Sequence, residues 1–289
     1  MKSNFGHNAT TSFTLWLEYF LLSKGEAYSN FESNLYFIED PRLPEGFFRY
    51  SSPYKQWAYE TINEEINIPQ YIIKDSEIQI NRQNKNFGYF VDFQNGGIVV
   101  TGEKARANLD LKAEYSAKEF NIYNTNETEE NLIIENKFEQ NSRFAISESP
   151  IPPYDIVTPA IFINTEYIRN EPLFFGGEDK TTIFFKTVVF AENLYQLDGV
   201  LSLLADSRHV GFYNCDFGDH PINEYGDLKD LDGYKYTDFH ESKLNEPTFY
   251  IDRVSTSKIA ENASKFISPS LFVGFIDFEV ATSRFPRSI

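Results

Sequence analysis

The stretch Tyr89-Phe90-Val91-Asp92-Phe93-Gln94-Asn95-Gly96-Gly97-Ile98-Val99-Val100 has few ways to fold. Two apolar runs flank Asn95-Gly96, and that dipeptide supplies the positive φ values that tight hairpin turns require. The rest of the region 35–126 repeats the theme. Short runs at 35–38, 71–80, 88–93, 97–101 and 109–123 are rich in aromatic and β-branched residues and are separated by turn formers. This part of the chain is therefore expected to be antiparallel β-structure.

A helix is expected before it. Thr11 or Ser12 can cap a helix that runs to residue 23, with Gly25 as its stop. Phe13, Trp16, Leu17 and Phe20 form one stripe, and Leu15, Tyr19 and Leu22 another. A helix apolar almost all round needs cover on two sides, from its own fold or from a neighbouring subunit.

Pro150, Pro152 and Pro153 interrupt regular structure and suggest a division into 1–149 and 150–289, though the two could form one domain. Beyond the prolines, 160–164 is strand-like and 183–190 is apolar enough for a fully buried strand. Leu194, Leu197, Leu201 and Leu204 then fall at helical spacing, and 210–213 returns to strand type, giving a strand-helix-strand unit. The acidic stretch 214–246 is expected to be a long surface loop and 255–267 a short helix. Residues 270–282 alternate as a strand inserted into an existing sheet would. The expected class is α+β and β-rich, with antiparallel sheets and a few helices.

Composition narrows the role. A chain of 289 residues can bury roughly 75% of its extended surface without staples. The single cysteine, Cys215, excludes an intramolecular disulfide framework. The apolar run 13–22 is broken by Glu18 and is about half of what spans a bilayer, so neither membrane anchor nor signal peptide is expected, and synthesis in the cytoplasm is. A net charge of −17 opposes wrapping nucleic acid, because such binding is driven by phosphate neutralisation. With 28 Phe and 18 Tyr, the aromatic load demands a large core or extensive interfaces.

Motifs for chemistry are sparse. His209, Cys215, Asp219 and His220 are of metal-ligating types, but the paired CxxC and HxxxH spacings that make such a signal specific are missing. Asp227, Asp230, Asp232 and Gly233 resemble a calcium loop only superficially, since aligning Gly233 puts Leu228 and Phe239 at the end ligand positions. Asp216-Phe217-Gly218 stands without the other kinase motifs. There is no GxSxG elbow, Walker loop, GxGxxG or HExxH, so no catalytic residue and no cofactor is assigned and a non-enzymatic role is expected. Paired carboxylates of a glycosidase type would be invisible without coordinates.

Five stretches together carry a resemblance. They are Ser51-Ser52-Pro53-Tyr54-Lys55-Gln56-Trp57, the hairpin 91–100, Glu127-Thr128-Glu129-Glu130 with 133–144, Phe174-Phe175-Gly176-Gly177-Glu178-Asp179-Lys180, and Val188-Val189-Phe190-Ala191-Glu192-Asn193-Leu194-Tyr195-Gln196-Leu197. From about residue 11 to 204 the chain resembles virion structural proteins of contractile-tailed bacteriophages. The resemblance implies a particle component at the head-to-tail junction, a neck, connector or tail-terminator protein made in the host cytoplasm and assembled as a homo-oligomeric ring with other virion proteins. It implies edge-strand and apolar contacts, no specific nucleic-acid binding and no membrane. Trp16, Phe20, Tyr54, Trp57, Phe272 and Phe275 are the candidate interface residues. A capsid-decorating or baseplate protein is the alternative within that class. A soluble carbohydrate- or protein-binding module using Tyr54 and Trp57 is the alternative outside it.

Overall fold

The computed structural model describes residues 5–24, 27–61, 65–69, 71–75, 78–81, 87–102, 105–134, 159–174, 177–216, 218, 220–223, 226–230, 233–238, 248–259 and 271–285. The chain is α+β and β-rich. A helix, α1 (Phe5–Leu22), precedes seven strands: β1 (Tyr28–Ile38), β2 (Phe48–Ser51), β3 (Tyr71–Lys74), β4 (Ile78–Asn81), β5 (Gly88–Asp92), β6 (Gly97–Thr101) and β7 (Leu111–Lys118). These form one antiparallel sheet in the order β4-β3-β7-β1-β2-β6-β5. Then come β8 (Asn121–Asn124), α2 (Glu129–Ile134), β9 (Ala160–Pro172), β10 (Asp179–Ala191), α3 (Leu194–Ala205), β11 (Gly211–Tyr213), β12 (Thr248–Lys258) and β13 (Phe272–Arg284). They make a second sheet, β11-β12-β13-β10-β9-β8, antiparallel except where β8 meets β9.

The hairpin forms as β5 and β6, with Asp92 opposite Gly97. Its turn holds four residues rather than the expected two, and only Gly96 takes a positive φ, 63°. A Cβ there would stand 2.2 Å from the Tyr54 carbonyl oxygen, so glycine is required by space as well as by conformation. The expected run 71–80 breaks into β3 and β4 after Asp75, which adopts φ 51°. The run 109–123 also divides, β7 going to the first sheet and β8 to the second. The proline-marked boundary lies outside the described residues, whereas the strands change sheet between Lys118 and Asn121.

The two-sided helix α1 is covered within its own fold. Phe13 stacks on Phe185 at 4.4 Å and meets Phe278 edge-on at 5.0 Å, while Trp16 stacks on Phe212. From its other side Glu18 reaches Tyr59 and Lys118, and Tyr19 stacks on Tyr236. The helix begins at Phe5, earlier than the expected cap. Thr10, Ser12 and Thr14 bond back to the carbonyls of Gly6, Asn8 and Thr10, so these hydroxyls are satisfied inside a helix instead of ending one.

The strand-helix-strand unit forms as β10, α3 and β11. Asn193 caps α3 by accepting from the Gln196 N–H at 2.8 Å, and Leu197, Leu201 and Leu204 are buried against the sheet. Gly274 in β13 lets them approach, since a Cβ there would sit 3.0 Å from Leu197. As expected, β13 is an inserted strand, paired with β10 along its length and with β12 on its other side.

Two expectations are corrected in the C-terminal third. The short helix expected at 255–267 is absent over its first part, where residues up to Lys258 belong to β12; 260–267 lie outside the described residues. Tertiary pairing decided this, because β13 offers a full-length partner to a stretch rich in Ser, Thr and Val. Described parts of the expected surface loop 214–246 also turn inward; 239–246 lie outside the described residues. Cys215 and Tyr236 enter the core around α1, Leu228 enters the core of the first sheet, and a parallel bridge joins Glu60 to Tyr234.

Candidate functional site

Three features of the surface and interior have the chemistry to do something. The first is a cleft of about 350 Å³ where α1, the end of β7, the β5–β6 turn and residues 220–222 meet. The Glu18 carboxylate accepts from the Tyr59 hydroxyl at 2.7 Å and from the Lys118 ammonium at 2.6 Å. Lys118 also lies 5.3 Å from the Tyr59 ring centre. Burial, with Glu18 alongside, pushes the Tyr59 hydroxyl well above the ordinary tyrosine range. Gln56, Gln94, Asn95 and Asn124 add amides to the lining, and Trp57, Tyr59, Phe93 and Tyr123 add rings. His220 accepts from the Ile222 N–H at 3.2 Å through Nδ1, and burial holds its pKa down, so it stands neutral.

Behind this cleft Glu60 is almost fully enclosed, at 2% exposure. Both carboxylate oxygens lie 3.1 Å from the Tyr236 N–H, which favours the charged form, but burial outweighs that bond and pushes Glu60 up to about 8. The Tyr234 hydroxyl is buried without a hydrogen-bond partner, and burial together with Glu60 keeps it protonated.

The second feature is an acidic cleft of about 280 Å³ on the outer face of the second sheet, beside α2. Lys186 on β10 stands 3.3 Å from Glu166 and 3.9 Å from Glu129, and Asp277 lies opposite it across the β10–β13 ladder. Burial raises Glu129 and Asp277 above the usual carboxylate range, and Lys186 partly offsets it in both. Burial lowers Lys186, but Glu129, Glu166 and Asp277 outweigh it and hold the ammonium above its ordinary value.

The third feature is the rim of the second sheet. On one side β8 covers only Ala160 to Ile163 of β9, and on the other β11 covers only the first three residues of β12. Among the described residues no strand pairs with the remaining edge of either, 165–172 or 253–258. The β9–β10 hairpin ends in Leu173 and Phe174, which is 68% exposed, and Ile168 and Tyr167 are exposed along β9. Tyr167 stacks on Phe184 at 4.2 Å, and Arg169 lies over the same ring.

The residues singled out from sequence are dispersed. His209 is exposed after α3 with φ 67°, Cys215 is buried behind Ser12, whose Oγ accepts its N–H at 2.7 Å, and His220 lines the first cleft. Asp219 lies outside the described residues, and among those described no three His, Cys, Asp or Glu side chains gather as a metal site would require. Of the interface candidates, Trp16 and Trp57 are corrected to core positions at 1% and 0% exposure. Trp57 stacks on Tyr115 at 4.3 Å, and its Nε1–H donates to Ser52 Oγ, so both its ring and its polar atom are satisfied within the chain. Phe20, Phe272 and Phe275 are half-buried, and Tyr54 is exposed with its ring stacked on Phe31 at 3.9 Å. Glu18, Glu60 and Lys118 carried no signal in the sequence, because nothing distinguishes them from other charged residues until the two sheets close on them.

No family model matches the chain, and no curated protein matches it. Among the described residues no helix is long and apolar enough to cross a membrane.

Proposed function

We propose that this chain is a non-enzymatic structural subunit of a tailed-phage particle, positioned at the head-to-tail junction and assembled with copies of itself as a ring. The observation that carries the reading is the rim of the second sheet, where two long stretches of strand edge meet no other described strand and the hairpin end exposes Leu173 and Phe174. A strand edge with free N–H and C=O groups is a template for another chain. The sequence resemblance points to the same class. A net charge of −17 suits a ring through which DNA passes without adhering, since like charges repel.

Quantitative mass spectrometry of density-purified particles tests this. A low ratio of this chain to the major capsid protein, as a ring gives, is the expected result. A ratio near that of the capsid protein would instead place it as a decorating protein, and absence from particles would overturn the structural reading.

The first cleft favours a second reading, a binding module for a neutral, hydroxyl-rich ligand such as a sugar. Its one ammonium and one carboxylate neutralise each other, and amides and rings supply the rest of the lining. The aromatic surface would be the half-buried Tyr123 rather than the enclosed Trp57 and Tyr59. Calorimetric titration with mono- and disaccharides checks it, and no heat with any of them would end it.

A further inference from the structure

The two edges of the second sheet that meet no other described strand are complementary to each other. They lie on opposite sides of the sheet and at opposite ends: 165–172 of β9 extends past β8 at one end, and 253–258 of β12 extends past β11 at the other. Each is a step cut from the rim, and two copies side by side can fill each other's step without β8 or β11 colliding with the neighbour. Resting on the assembly reading above, we infer that β12 of one copy pairs antiparallel with β9 of the next, in a lap joint that makes one continuous sheet from successive copies.

Direction, facing and charge agree. Within one sheet β9 runs antiparallel to β10 and β12 runs parallel to β10, so neighbours related by a simple repeat present antiparallel edges. Side chains directly opposite in an antiparallel pair must share a face. Arg253 is on the outer face, 3.5 Å from Glu279, and the outer residues of β12 are then Arg253, Ser255 and Ser257. On β9 the bulge at Glu166 places Tyr167, Arg169 and Glu171 outward, as the Tyr167–Phe184 stack shows. Setting Glu171 opposite Arg253 puts Arg169 opposite Ser255, Tyr167 opposite Ser257 and, on the inner face, Ile168 opposite Thr256. A shift by two residues in one direction would set Arg169 against Arg253, and in the other it would leave Glu171 facing Ser255. Charge therefore favours this register over its two neighbours, although Arg169 also meets Glu171 at 3.1 Å within its own chain.

The β12 edge is unusual in this chain. Against an overall charge of −17, residues 253–258 hold Arg253 and Lys258 and no acidic side chain, while 165–172 of β9 hold Glu166 and Glu171 with Arg169. Within one copy Arg253 and Lys258 already meet Glu279 and Asp198, and Glu166 and Glu171 meet Lys186 and Arg169; a second copy adds a further partner of opposite sign to each edge. In one copy Ser255 is level with Asn164 through Asp277 and Lys186, and the joint sets it opposite Arg169 of the neighbour. Because Glu166 is bulged, Asn164 and Arg169 are four levels apart, so each copy is displaced along the strands by about 13 Å, at ~3.3 Å per residue. A repeated step of this kind is a heterologous contact, which closes as a ring when the rotation per copy allows it.

Arg169→Cys and Ser255→Cys chains, made separately, test the joint, since the native Cys215 is buried at 1% exposure and will not compete. Oxidation of an equal mixture should give a covalent dimer that neither chain gives alone, and a chain with both substitutions should give a ladder of higher species. In parallel, E171R or R253E alone should shift sedimentation toward single chains, and the two together should restore assembly. Self-linking of the Arg169→Cys chain would show β9 edges meeting about a two-fold axis, which overturns the joint but leaves self-assembly standing. Assemblies that form without a 169–255 link would do the same. Single chains at every concentration, with none found in particles, would overturn the joint and the assembly reading together.

Discussion

Replacing Glu60 with Gln should remove a loss of stability that the native chain suffers as pH rises. Glu60 has a folded-state pKa of about 8 against an ordinary value of 4.5, because its carboxylate sits at 2% exposure where burial outweighs the bond from Tyr236. A raised pKa means that the folded state holds the proton more tightly than the unfolded one. The contribution is therefore fully present below about pH 4.5 and is lost as pH rises through about 8. Integrating between the two values, the folded chain loses about 3 kcal/mol from this group by pH 7, and somewhat more by about pH 9. The Gln side chain cannot ionise and so does not suffer this loss. Denaturation in urea, followed by the fluorescence of Trp16 in one core and Trp57 in the other, would report both sheets at once. The difference between the Gln variant and the native chain cancels the other acidic groups. It should favour the native chain slightly near about pH 5 and the variant by about 3 kcal/mol near about pH 9. A difference that stays constant across that range would refute the reasoning, since it would mean that Glu60 does not titrate with folding.

Gly96→Ala should cost about 3 kcal/mol, since the new Cβ would meet the Tyr54 carbonyl oxygen at 2.2 Å and the Lys55 Cα at 2.7 Å; thermal denaturation reads the loss. Lys118→Ala should destabilise by about 3 kcal/mol by leaving Glu18 buried beside Tyr59 alone, and adding Glu18→Gln should recover much of that, which a double-mutant cycle in urea measures. Phe13→Ala should cost about 4 kcal/mol by removing the ring that packs on Phe185, Phe278 and Phe212. Phe174→Ser should leave the unfolding midpoint unchanged at a dilution where the native chain is also single, because the ring is 68% exposed, while lowering the assembled fraction in sedimentation at higher concentration.

How much of the molecule was legible in the sequence depended on the range of the forces involved. The β5–β6 hairpin was legible because Asn95-Gly96 and the flanking alternation are local, and so was α3, whose leucines recur at the helical period. The inserted strand β13 was legible for the same reason. The start of α1 was not, because whether Ser12 caps a helix or bonds back inside one depends on what lies beside it, here the Cys215 N–H. The strand β12 was read in part as a helix because Ser, Thr and Val commit only when a partner strand is in place. The candidate sites were less legible still. In sequence Trp57 is an aromatic beside a proline turn and Glu60 is one acid among 43; only the fold encloses Trp57 between Tyr115 and Ser52.

What the sequence determined by itself is the class, β-rich and acidic with a doubly apolar first helix, because periodicity, turn chemistry and net charge are properties of neighbours along the chain. What only the tertiary structure decided is which sides of that helix meet which sheet, which carboxylates lose their water, and which edges of the second sheet meet no other described strand. Those outcomes depend on the order of strands β11-β12-β13-β10-β9-β8, and strand order is set by contacts between residues far apart in the chain, whose energies no local pattern encodes.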